Sequence, residues 1–387
     1  MTTTTAATQK VLLRQPASAA GSAVSSSSAG KGGTRKLLTD AFELQLEEAG
    51  QLLSDASDFT VLGVLGSQGA GKSTVMSLLA GAAWLDDGAD PTHSSAEAAV
   101  HKLHDPPFAP QPIEAVLQAA HHTVGVDLFV TPERLLLLDS QALWSPSVLL
   151  ELQKRDAPLP ADAQTHENLL EVHSLRLAMW MLSICHVVVC VLDVPLDPVE
   201  LRALRLAQML RHRLPDLSTL ALASPAAVQG LAADAPSEAS AALEYHPRLA
   251  FVYNRMAPSV FAPSVQQSLG DVLRRLFPAP SSSQAPPARR GGGEGDCGGA
   301  GDAADVTVLM IPCSAAAGAR VAGAHSGYQT EAEHARDTLL SLPRRPFAKT
   351  LSEREWLRGA GRMWEVIRRS SLLADYNRTA QSSHCFS

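Results

Sequence analysis

FTVLGVLGSQGAGKSTVMSLLAG, Phe59 to Gly81, reads as a strand, a glycine-rich loop and the first turns of a helix. Thr60 to Leu65 is a short apolar, β-branched run of the kind buried in a parallel sheet. Gly66, Gly69 and Gly71 remove side chains where the backbone must turn tightly, and Val75, Leu78 and Leu79 give the following helix an apolar face. Gly66 to Ser73 spell GxxxxGK[ST]. In such a loop, successive backbone N–H groups and the N-terminus of the helix wrap an anionic phosphate. The lysine reaches the terminal phosphates and the hydroxyl can ligate Mg²⁺. The nucleotide-binding candidates here are Gly66, Gln68, Gly69, Gly71, Lys72, Ser73 and Thr74.

Downstream, Val124 to Val130 alternates apolar with small or polar residues, Thr131-Pro132-Glu133 makes a turn, and Arg134 to Leu138 is a second apolar run ending at Asp139. This predicts a hairpin. An acidic residue at the carboxyl end of a buried strand, after a phosphate loop, is placed to hold Mg²⁺ directly or through water. Alone, such an Asp as often caps the next helix. Ser73, Asp139 and Thr123 form the candidate metal set.

Helices are predicted at Ser147 to Lys154, His166 to Met181, Pro198 to about His212 and Val265 to Phe277, with strands at His186 to Asp193, Leu249 to Tyr253 and Val306 to Ala315. That alternation implies an α/β fold, a mostly parallel sheet covered on both faces. Before it, Lys36 to Leu53 has near-helical apolar spacing and predicts a flanking amphipathic helix. Leu85 to His122 is rich in Pro and His without a sustained period, and reads as a long mobile connection with solvent-exposed histidines. Their spacing matches no zinc pattern.

Residues 1–35 read as a disordered tail. Residues 1–39 hold no Asp or Glu, a composition shared with transit peptides. Low-complexity insertions fall at about residues 224–240 and 278–305, inside one domain spanning residues 36–377. C-terminal helices are predicted at about residues 330–377, with a tail at residues 378–387.

The net charge of −7 gives no broad basic footprint, so direct nucleic-acid binding is not predicted. Five scattered cysteines without CxxC pairs suit buried thiols in a reducing compartment. The longest apolar run, Leu177 to Leu192, is too short for a membrane span.

In order, the motifs resemble a G domain of the Ras-like class, a three-layer P-loop fold: phosphate loop, switch threonine Thr123, Asp139, then Asn254-Arg255 at the base-reading position and Cys313-Ser314-Ala315 at the last. The departures are specific. The third motif of an active GTPase is DxxG followed by a catalytic Gln; here it is Asp139-Ser140-Gln141-Ala142, then Leu143. Gln141 lies at a different offset from that glutamine. Where [NT]KxD selects guanine through its Asp, this chain has Asn254-Arg255-Met256-Ala257, leaving guanine and adenine both open. The cofactor expected is a purine nucleoside di- or triphosphate with Mg²⁺, bound with weak or absent hydrolysis, as in a pseudo-GTPase.

The words between the motifs carry a narrower resemblance. VLGVLGSQGAGKSTVMSLLAG, TVGVDLFVTPERLLLLDSQ, SPSVLLEL, SLRLAMWMLSICHVVVCVLD and PFAKTLSEREWLRGAGRMWEVIRRSSLLADYNR together resemble the Smg-nine-type subunits of nonsense-mediated mRNA decay. The resemblance implies a cytoplasmic regulatory and assembly subunit. It implies two partners, a Smg-eight-type subunit in a G-domain heterodimer and the Smg-type phosphatidylinositol-kinase-related kinase that phosphorylates the pathway's RNA helicase. Two other classes stay open: an active GTPase or ATPase completed by a partner, and a small-molecule P-loop kinase with Leu85 to His122 as a lid lacking phosphate-clamping arginines. In Leu351 to Tyr376 an apolar stripe with Trp356 and Trp364 runs beside Arg354, Arg358, Arg362, Arg368 and Arg369. It reads either as core packed on the G domain or as a partner-binding surface with aromatic anchors.

Overall fold

The computed structural model of the chain describes residues 33–82, 105–155, 158–160, 163–212, 214–224, 245–278, 306–313 and 328–382. The strands are β1 (Arg35–Leu38), β2 (Thr60–Leu65), β3 (Val126–Val130), β4 (Leu135–Ser140), β5 (Val187–Leu192), β6 (Arg248–Met256) and β7 (Val306–Pro312). They form one seven-stranded sheet in the order β1-β3-β4-β2-β5-β6-β7. From β4 to β7 the pairings are parallel, while β3 runs antiparallel to both β4 and β1.

Side chains alternate cleanly between the faces, as a pleat of period two requires. In β5, Val188, Cys190 and Leu192 enter one core, and Val187, Val189 and Val191 the other. The larger core is covered by α5 (His166–Ile184), α6 (Pro198–Leu210), α7 (Leu217–Leu222) and α10 (Glu353–Arg368). The smaller is covered by α2 (Lys72–Leu79) and α9 (Tyr328–Ser341). This is the three-layer α/β arrangement that the phosphate loop and the strand-helix alternation predicted. The predicted hairpin is present, with Thr131 and Arg134 closing the turn and Arg134 in the left-handed region at φ 63°.

The flanking helix predicted for Lys36 to Leu53 is absent. That stretch forms edge strand β1, a turn with Phe42 at φ 60° and the single-turn helix α1 (Leu46–Gly50). The free edge of β3 supplies backbone partners that local helical spacing cannot reveal. Lys36 Nζ then anchors the strand on Val124 O and Asp127, each at 2.7 Å. In the connection before β3, residues 85–104 lie outside the described residues, but residues 105–122 are anchored. Phe108 is buried against Phe129, exchanges hydrogen bonds with Ser77 Oγ and is followed by α3 (Ile113–Leu117). His121 is partly buried, bonded to Ser147 and Glu151, and so is not a loop histidine in solvent. The predicted insertions lie almost wholly outside the described residues. After α8 (Pro263–Leu276) and β7, the chain ends in α9, α10 and α11 (Ser371–Ser382), the last reaching past the predicted limit of 377.

His186 closes the start of the central ladder. Its Nδ1 accepts from Val61 N–H (2.9 Å), its own N–H donates to Val61 O (2.9 Å), and its carbonyl accepts from Arg248 N–H (3.0 Å). Burial first, and Arg344 second, depress its pKa to about 3. The imidazole is therefore neutral in the fold and gains a proton more readily when unfolded. Stability contributed at neutral pH is lost as pH falls from about 6.5 towards 3, by up to about 1.4 kcal/mol per pH unit. Urea midpoints taken at pH 7 and pH 5 should diverge more in the native chain than in His186→Asn, whose amide oxygen can still accept from Val61. Equal slopes would assign the acid sensitivity elsewhere.

Candidate functional site

The loop after β2 has the backbone a phosphate cradle needs. Gly66 has φ 150° and a Cβ there would fall 2.2 Å from Val191 O; Gly71 has φ 101° and a Cβ would fall 2.3 Å from Asn254 Nδ2. Only glycine fits either place. Gly71 leads into α2, so the free N–H groups of Lys72, Ser73 and Thr74 face the loop's mouth. Lys72 is buried and its Nζ donates to Ser67 O at 2.8 Å. Burial lowers its pKa to about 8, against the pull of Asp139 and Glu200. Glu200, in the first turn of α6, bonds to Ser67 and has its own pKa raised by burial. Sequence reading missed Glu200, because nothing local marks one helical glutamate as lying under the loop. Behind it is a cavity of about 30 Å³ lined by Leu65, Gly66, Leu143, Trp144, Cys190 and Glu200, room for water only.

The three metal candidates come together. Ser73 Oγ donates to Asp139 Oδ2 (2.7 Å) and meets Thr123 Oγ1 (3.0 Å), which lies 3.2 Å from the same carboxylate oxygen. Asp139 is only 2% exposed and its Oδ1 is buried without a hydrogen-bond partner. Burial raises its pKa to about 6, with Asp127, its cross-strand neighbour in register, adding to the rise. A buried carboxylate oxygen without a partner is costly unless a cation or its water completes it. The donor set of hydroxyls and carboxylate suits Mg²⁺, a hard cation. Ser73, Asp139 and Thr123 would hold it, and when bound it would neutralise charge on phosphate oxygens. Among the described residues no cluster of three or more His, Cys, Asp or Glu suits a metal.

The departures from an active GTPase have structural consequences. Gln141 is buried and committed: its N–H donates to Gly125 O (2.7 Å) and its Oε1 accepts from Gly125 N–H (3.0 Å). Its side-chain oxygen is thus spent on Gly125. Ala142 is buried where a switch glycine would stand. At the other end, Asn254 Nδ2 donates to Ala70 O (2.8 Å), bracing the loop from behind. Arg255, at φ 58°, is half-exposed and paired with Asp193 at 3.0 Å. Ala257 is exposed and offers no side-chain acceptor to a base. Cys313 N–H donates to Met256 O (3.0 Å), and Ser314-Ala315 lies outside the described residues. Gln68 is turned to protein partners, Ala119, Ser145 and Ser147, and not into the cradle.

The two shifted groups make a signed prediction. Phosphate should restore the charge of Lys72, so binding near pH 8 takes up about half a proton; a cation should ionise Asp139, so binding near pH 6 releases about half a proton. Calorimetry in buffers of different ionisation enthalpy reads both signs. The release should shrink in Asp139→Asn, leaving only what the nucleotide itself loses. Uptake at both pH values would place the ligand away from these residues.

No helix among the described residues is long and apolar enough to cross a membrane. No family model matches the chain. Among curated proteins, it is 26% identical over 369 residues to the nonsense-mediated mRNA decay factor SMG9 of Xenopus laevis, covering 88% of this chain and 66% of that one. With the factor of the same name from Salmo salar it is 26% identical over 360 residues, 86% of this chain and 64% of the other. With that of Caenorhabditis elegans it is 28% identical over 176 residues, 46% and 40% of the two chains. The chain thus spans just under two thirds of the length of the vertebrate relatives it matches. Over 86–88% of its length the chain is thus similar to vertebrate nonsense-mediated mRNA decay factors named SMG9, and it folds as a three-layer α/β body with C-terminal helices.

Proposed function

We propose that the chain is a nucleotide-binding regulatory and assembly subunit acting in nonsense-mediated mRNA decay. It binds a purine nucleoside di- or triphosphate with Mg²⁺ through Gly66 to Thr74, Thr123 and Asp139, and hydrolyses it weakly or not at all. By the family resemblance it is cytoplasmic, pairs with a Smg-eight-type G-domain-like subunit and docks on the Smg-type phosphatidylinositol-kinase-related kinase. The observation that carries the reading is the pairing of an assembled phosphate and metal cradle with a Gln141 locked onto Gly125. Such a site can hold a nucleotide and lacks the group that would activate water. Ile113, Val116 and Leu117 are exposed on α3, in the segment leading to Thr123, which suits a partner that closes over the nucleotide side.

The test is a tagged pull-down from the native cell, with mass spectrometry of the bound proteins and chromatography of the nucleotide released on denaturation. A large kinase of that class, a G-domain-like partner and one intact nucleotide per chain are expected, and the chromatogram names the base. A lone chain turning over nucleotide at about 1 per second or faster would make it an ordinary enzyme.

A further inference from the structure

Gln68 lies in the phosphate loop and ties it to two separate pieces of chain. Its Nε2 donates to Ala119 O (3.0 Å), and its Oε1 accepts from Ser145 Oγ (2.5 Å) and Ser147 Oγ (2.8 Å). Ser147 Oγ also meets His121 Nδ1 at 2.9 Å, and His121 Nε2 lies 3.0 Å from Glu151. Ala119 and His121 belong to the segment that carries Thr123. Ser145 is the residue before α4 (Pro146–Lys154), the helix that follows Asp139 in the chain. Deeper in the site, Ser73, Thr123 and Asp139 tie the same two segments to the loop a second time.

In nucleotide switches the terminal phosphate and its metal hold two such flanking segments, and loss of the phosphate releases them. Here protein groups make those ties. A ligand that meets one closed conformation with or without its last phosphate shifts no equilibrium through it.

We infer that Gln68 is a built-in clasp: it holds the Thr123 segment and the start of α4 closed over the phosphate loop without a terminal phosphate, so that the site takes diphosphate and triphosphate alike. The second half of this statement rests on the nucleotide-binding reading above; the first half does not.

Hydrogen exchange on the full chain separates the two. In nucleotide-free protein, peptides covering residues 117–123 and 145–152 should be protected. Gln68→Ala should raise their exchange by about tenfold while β5 stays unchanged as the control for folding. Ser147→Ala should do part of the same, and the double variant should add little to Gln68→Ala, as for partners in one network. With Mg²⁺ and ADP, ATP, GDP or GTP as probes, the native chain should bind each di- and triphosphate pair within about threefold, and Gln68→Ala should favour the triphosphate. Two results overturn the clasp: segments that exchange freely until a triphosphate binds, or exchange unchanged by Gln68→Ala. If none of the four nucleotides binds, the nucleotide-binding reading fails, and the nucleotide-free comparison still decides for or against the clasp.

Discussion

Replacing Trp356 with alanine should lower the unfolding free energy by about 3–5 kcal/mol, enough to remove much of a typical domain's stability. The indole is fully buried and its Nε1 donates to Ile184 O at 2.8 Å. The bond is reciprocated from the facing helix, where Trp180 Nε1 donates to Ala360 O at 2.9 Å. Trp364 meets Trp180 edge-on with centroids 5.4 Å apart, and Phe42 stacks on its other side at 6.0 Å. Truncation at residue 356 therefore opens a cavity between α10 and α5 and removes the indole donor from the carbonyl of buried Ile184. The start of α10 is fixed as firmly. Glu353 accepts from Ser54 N–H (2.7 Å) and Ser54 Oγ (2.9 Å) and pairs with Arg134, while its own N–H donates to Ala56 O (3.0 Å). Urea denaturation followed by tryptophan fluorescence measures the loss. Arg358→Ala, on the exposed side of the same helix, should stay within about 0.5 kcal/mol of the native chain. An unchanged midpoint in Trp356→Ala would mean that α10 is not part of the cooperative unit. The partner-anchor reading of the tryptophans is overturned: both indoles are spent on the domain's own core, and what faces solvent is arginine.

The phosphate loop and the sheet were legible in the sequence because each is written locally. Strand-length apolar runs, glycines at the turn and the order of motifs are short-range patterns, and Leu62 and Leu65 fall on opposite faces as simple alternation requires. What was not legible depends on contacts far apart in the chain. Leu37 and Leu38 sit in β1 because β3 has an open edge, not because of their neighbours in sequence. Gln68 reads as a phosphate-loop residue and Gln141 as an uncertain substitute for a catalytic glutamine. Their roles were settled by Ser147 in one case and Gly125 in the other. Glu200 and Asp127 carried no motif at all; one lies under Lys72 through a helix turn, the other beside Asp139 through strand register.

Lys72→Ala should weaken nucleotide binding by roughly 100-fold, about 3 kcal/mol, and leave the fold as stable as before or more so. The two effects separate because the lysine is held in the fold at a cost. Its amine is buried, donates to one carbonyl and has a pKa lowered to about 8, below its unfolded value, so burial disfavours its charged form. Between pH 8 and the unfolded pKa the unfolded chain binds more protons than the native one, and stability contributed by this site rises with pH across that window. Alanine removes that slope. It also removes the cation that draws on Asp139, which offsets part of the gain. Binding has no such compensation: a phosphate in the loop would lose the buried ammonium of Lys72, and the backbone N–H groups of residues 69–74 cannot replace the charge. Titration with Mg²⁺-nucleotide and urea melts at pH 7 and pH 9.5 measure both halves. A variant that binds normally would move the ligand off this loop, and one with no cooperative transition would make Lys72 a residue of the fold before it is one of the site.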